Sequence, residues 1–149
     1  MIRFYPRRLF AFVLAAVGVL AVAAPVQAVA RPYISRGTAQ FVSASDFVGA
    51  GNATYLGLYR EAGSVQFSPT ADPTVLHLEA RSTYTAANGD QLYATFTGQL
   101  NGVTGVITAT VTYAGGTGRF ANASGTANFS GQLLPGGAIE VAVKGSIDY

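Results

Sequence analysis

The chain has 149 residues with no cysteine and a single histidine, which excludes disulfides, thiolate nucleophiles, cysteine metal sites and multi-histidine metal centres. Its formal charge of +2 is set by three arginines close to the start and describes a leader rather than a nucleic-acid-binding domain. Arg3, Arg7 and Arg8 form a basic n-region, and an apolar run over 9–24 follows. That run falls short of the roughly 20 residues that a membrane-spanning helix needs. Val26-Gln27-Ala28 then offers the small residues that a signal peptidase reads, with Ala28-Val29-Ala30 as a second possibility. Residues 1–28 are therefore expected to be a signal peptide cleaved after Ala28, leaving a secreted or periplasmic protein with no membrane attachment. Past the leader, six basic residues face seven acidic ones, a net charge of −1. No basic patch remains to neutralise phosphates, so no nucleic-acid partner is expected.

Residues 29–36 read as a short proline-containing lead-in, and 37–149 as one domain. Within that domain the apolar pattern alternates with period two, and no helical period interrupts it. Strands are expected over 37–46, 52–60 and 63–67, the last closed by a loop carrying Pro69 and Pro73. Further strands are expected over 75–85, 91–100, 103–113, 125–133 and 138–148. Asn88-Gly89, Asn101-Gly102 and Pro135-Gly136-Gly137 supply the tight turns between several of them. Asn-Gly accepts the positive φ of a two-residue hairpin turn, which makes the flanking strands antiparallel neighbours.

In the strand over 91–100, Leu92, Ala94, Phe96, Gly98 and Leu100 face one way, and Tyr93, Thr95, Thr97 and Gln99 the other. Ile139, Val141, Val143, Gly145 and Ile147 make the same apolar face in the last strand. About eight such strands close most simply on themselves, which removes exposed edges. Such a barrel is filled by side chains or holds one small ligand. A two-sheet sandwich satisfies the periodicity as well.

The stretch 114–125, A-G-G-T-G-R-F-A-N-A-S-G, separates two threonine-rich strands. Its glycines mark a sharply bent connection where φ is positive or another backbone passes close. It lacks the lysine and the following helix of a phosphate-binding loop. Gly115, Gly116, Thr117, Gly118, Phe120, Ala123 and Gly125 resemble the GGTG-x-F-x-x-A-x-G signature of the dirigent and allene oxide cyclase barrel superfamily. The resemblance implies an all-β fold, an antiparallel eight-stranded β-barrel, assembled as a homotrimer. Weak surface charge fits either such a trimer or a weakly charged exported monomer. The resemblance carries over the signature residues alone, because the motifs around the catalytic acids of those families are absent.

Four residues are candidates for ligand contact. His77 and Glu79 lie on one strand face with Arg81, where a carboxylate can orient an imidazole for acid–base work. Alternating charges are equally the ordinary exterior of an antiparallel sheet. Tyr55 is one of several tyrosines whose rings line a pocket or simply pack. Arg119, the one charge inside the signature, either meets an anionic ligand or lies over Phe120 at the rim. No catalytic residue, metal ligand or cofactor is assignable. The expected function is a barrel holding a small apolar or aromatic ligand. The alternatives are a cyclase or isomerase of the dirigent or allene oxide cyclase type and an oligomeric structural protein of the envelope or matrix.

Overall fold

The computed structural model describes residues 29–149; the expected signal peptide at 1–28 lies outside them. Eight strands run β1 (Arg31–Phe41), β2 (Asp46–Ala53), β3 (Gly57–Pro69), β4 (Val75–Ala86), β5 (Gln91–Asn101), β6 (Val106–Gly116), β7 (Ser124–Leu133) and β8 (Ala138–Asp148). A one-turn 3₁₀ helix, Gly118–Phe120, sits between β6 and β7. Each strand pairs antiparallel with the next, and β8 returns to β1, so the meander is a closed barrel. The expected all-β fold is observed, as the antiparallel eight-stranded barrel and not the sandwich that the alternation left open.

Closure follows from the side-chain pattern. Leu92, Ala94 and Phe96 of β5, Val111 and Tyr113 of β6, and Ile139, Val143 and Ile147 of β8 are buried inside. The outward rows pair hydroxyls across strands, with Thr95 opposite Thr112 and Thr97 opposite Thr110. An apolar inside and a threonine-rich outside is the reverse of the pattern a membrane barrel presents to lipid.

The first three strands are divided differently from the expectation. Residues 31–36 are not a lead-in: they form the first half of β1, and Tyr33 and Ser35 point into the core. The first turn falls at 42–45, where the Ser43 hydroxyl donates to Asp46 Oδ2 at 2.9 Å and accepts from the Asp46 amide at 2.9 Å. The second falls at 54–56, inside the expected 52–60 strand. Tyr55 takes φ 71° there, and Thr54 is tied to the Ile34 backbone through its amide and hydroxyl. Residues 57–69 then form one continuous strand in place of two short pieces.

Gly49 and Gly51 lie in β2, on its inward face. A Cβ at Gly51 would run into the Arg36 carbonyl of β1 and come within 2.6 Å of the Tyr59 hydroxyl, and one at Gly49 would lie 3.0 Å from the Thr38 carbonyl and 3.1 Å from Glu61 Oε2. Their absence of side chain makes the room for two polar groups inside the barrel. Gly51→Ala is expected to cost about 1–3 kcal/mol through overpacking, read from the shift of the urea midpoint. An unchanged midpoint would show that the β1 backbone and Tyr59 both give way freely.

Candidate functional site

The two ends of the barrel are built differently. At the end holding the β2–β3, β4–β5 and β6–β7 connections, rings close the interior. Phe120 is fully buried, and its ring centroid lies 5.2 Å from that of Tyr149, which lies 5.2 Å from that of Tyr55. The signature residues make this plug. Gly115 (φ 77°) and Gly118 (φ 55°) turn the chain inward in conformations that favour glycine. The Thr117 amide donates to the Gln91 carbonyl at 2.8 Å, and its hydroxyl accepts from the Gln91 amide at 2.9 Å. The Gly115 amide donates to the Ala123 carbonyl at 2.7 Å, closing the loop beneath Phe120.

A layer of hydroxyls occupies the interior. Tyr33, Ser35, Tyr59, Ser82, Tyr84 and Tyr113 are all buried. Ser35 Oγ and the Tyr59 hydroxyl hydrogen-bond at 3.0 Å. The rings of Tyr33 and Tyr113 meet edge-on at 5.1 Å, and those of Tyr59 and Tyr84 at 5.2 Å. The Tyr33, Ser82 and Tyr113 hydroxyls have no hydrogen-bond partner. Burial pushes the phenols of all four tyrosines above their ordinary range.

Glu61 stands in this layer, inward on β3 and 8% exposed. Burial raises its carboxyl above the ordinary value, and the adjoining Ser82 and then Tyr84 hydroxyls offset part of that rise. Toward the other end it faces a cavity of about 70 Å³, room for about five water-sized groups. The remaining walls are wholly apolar, including Phe47, Phe67, Leu78, Phe96, Ile107 and Phe129. Phe96 and Phe129 meet edge-on at 5.6 Å, and Phe41 and Phe67 flank each other at 6.3 Å. The result is an apolar chamber with one ionisable group. A carboxyl in such a setting is held neutral to higher pH than in water, which suits it to give or take a proton.

None of the four candidate residues lines this chamber. Tyr55 sits in the β2–β3 turn at the plugged end. His77 and Glu79 lie on the outer wall, with His77 Nε2 3.6 Å from Glu79 Oε1 and side chains 38% and 69% exposed. Arg119 is also at the plugged end, 4.9 Å over the Phe120 ring, with Nε 3.7 Å from Asp90 Oδ2. Of the two positions considered for it, it takes the one over Phe120. Residue-type reasoning missed Glu61, because the strand expected over 52–60 ended one residue before it. The usable signal was its place in the inward phase Tyr59-Glu61-Gly63-Val65-Phe67.

Among the described residues, no group of three histidine, cysteine or acidic side chains converges as a metal site. Comparison with protein-family models, with curated proteins and with solved structures gave no match for this chain.

Proposed function

We propose that this protein binds a small apolar or aromatic molecule inside the barrel. The observation that carries the reading is the chamber above Glu61, walled by alanine, valine, leucine, isoleucine and phenylalanine and reached from the end that lacks the ring plug. A concave apolar lining with few polar groups to orient a guest is how small-molecule sites are built, and a volume of about 70 Å³ suits a guest of few atoms reaching in from the open end. Toluene titrated into the wild-type protein and followed by ligand-observed NMR is expected to bind. Val141→Phe, which adds a ring to the chamber wall, is expected to weaken that binding by about tenfold or more. Equal binding by the variant, or none by the folded wild type, would remove the chamber as the site.

Glu61 favours a second reading, a cyclase or isomerase of the kind implied by the signature resemblance. Its raised carboxyl supplies a proton donor and acceptor next to an apolar guest shielded from water. Under this reading the reacting group of the guest lies against the floor. His77, Glu79 and Arg119, which do not line the chamber, take no part. Turnover of a guest by the wild type and not by a Glu61→Gln variant that still binds toluene would distinguish catalysis from binding.

A further inference from the structure

Among the described residues, Glu61 is the only side chain on the chamber wall able to make a hydrogen bond or carry a charge. The chamber therefore selects its guest by whatever complements one carboxyl at the end of a hydrocarbon-lined space. The inward positions of the other strands hold tyrosine, serine, glycine, alanine, phenylalanine, valine, leucine or isoleucine. No basic residue among them faces Glu61. Arg31, at the start of β1, lies over the Tyr149 ring at the plugged end. The groups that do face the carboxyl are the Ser82 and Tyr84 hydroxyls of β4, with the Tyr33 and Tyr113 phenols from β1 and β6 in the same layer.

Resting on the reading that the chamber takes a small apolar ligand, we infer that its ligand is an apolar primary amine. Its ammonium group meets Glu61 at the floor, and its hydrocarbon part lies against the phenylalanine walls. A buried carboxylate with no cationic partner is unfavourable by itself and gains most from a counter-charge. Folding has already taken Glu61 out of water, so an incoming ammonium group gives up its own hydration and, where the carboxyl still holds its proton, drives that proton off to solvent as the ion pair forms. The neighbouring Ser82 and Tyr84 hydroxyls favour the ionised carboxyl, and the same Glu61 side chain lines the chamber. A guest ending in a carboxylate meets like charge there, or must bring a proton with it. A guest ending in an alcohol forms a neutral hydrogen bond to the same group, weaker than the charge-assisted one.

The test compares three guests of one chain length, hexylamine, 1-hexanol and hexanoate, by isothermal titration calorimetry at pH 7.5 on the wild type and Glu61→Gln. Hexylamine is expected to bind the wild type about tenfold or more tighter than either other guest. In Glu61→Gln that preference disappears while 1-hexanol is retained. Hexanol or hexanoate binding as tightly as hexylamine would overturn the amine assignment and leave the chamber standing. A preference for hexylamine that survives in Glu61→Gln would overturn it too, by placing the ammonium group elsewhere. If none of the three guests nor toluene binds, the amine assignment and the chamber reading fall together.

Discussion

Phe120→Ala is expected to destabilise the protein by about 3–5 kcal/mol and to lower the melting temperature by about 12–20 °C. The ring is fully buried and touches Tyr149, which in turn meets Tyr55. Removing it deletes its own transfer free energy and leaves a void in the plug. The neighbouring β6–β7 connection cannot collapse into that void, because Gly115, Thr117 and Ala123 are held by backbone hydrogen bonds. Arg119→Ala tests the same loop by removing only the side chain whose guanidinium lies over the Phe120 ring and leaving the ring in place. Its guanidinium is 43% exposed and pairs with Asp90 at 3.7 Å, a contact weakened by solvent screening. That change is expected to stay within about 0.5 kcal/mol. Thermal unfolding followed by circular dichroism separates the two. A Phe120→Ala protein melting with the wild type would mean that the plug contributes nothing to stability.

Glu61→Gln is expected to change the dependence of stability on pH. In the folded protein the carboxyl lies above its ordinary value of 4.5, chiefly through burial. The folded state thus holds this proton to higher pH than the unfolded chain does. The stability it contributes is complete below 4.5 and is lost as pH rises through the raised folded value, after which it levels off. The variant, with no proton to lose, is expected to be flat through that window. At pH 8 it should exceed the wild type by about 1–3 kcal/mol, the order of the penalty for a buried group without full partners.

Asp72 acts in the opposite direction and outside this window. The Thr74 backbone amide and hydroxyl hold it below its ordinary value of 3.8, so its contribution is lost only as pH falls through that lowered value. The interior tyrosines act beyond the other side. Their raised phenols remove stability as pH climbs above the ordinary value of 10. Urea unfolding of both proteins from pH 4 to 8 gives the answer. Parallel curves would show that Glu61 is not the group responsible.

The second half of the barrel was legible in the sequence because its turns are made by residues that announce them. Asn88-Gly89 and Pro135-Gly136-Gly137 place β4, β5, β7 and β8 within about a residue of their observed limits. The inward sets of β5 and β8 follow directly from alternation. At 101–105 the same reasoning starts β6 three residues early, since the Asn101 side chain holds a longer turn by accepting from the Val103 and Thr104 amides.

The first half hid its boundaries for physical reasons. One turn rests on side-chain hydrogen bonds of Ser43, and another on a tyrosine in the left-handed region, neither of which composition reveals. Gly49 and Gly51 fell between the expected strands 37–46 and 52–60, although they are strand residues beside Glu61 and Tyr59. The functional reading moved with those boundaries. With β3 cut at residue 60, the carboxyl that ends up on the chamber floor fell outside any expected strand. His77 and Glu79, correctly placed on one face, proved to be on the outer one.

The seam between β1 and β8 joins residues that are far apart in the chain, with Arg31 opposite Ile147 and Gln40 opposite Ala138. Every other neighbouring pair of strands is a local hairpin, so a growing chain can form seven strands from nearby partners. The eighth alone converts that curved ribbon into a ring, and it is the last to be synthesised. Until then β1 and β7 both present unpaired edges, open to pairing with other chains. High separation at the closing seam makes ring formation the slow, late event in folding. A chain without β8 is therefore not a slightly smaller barrel but an open sheet with two adhesive sides, and it is in that state that this protein is most exposed to aggregation.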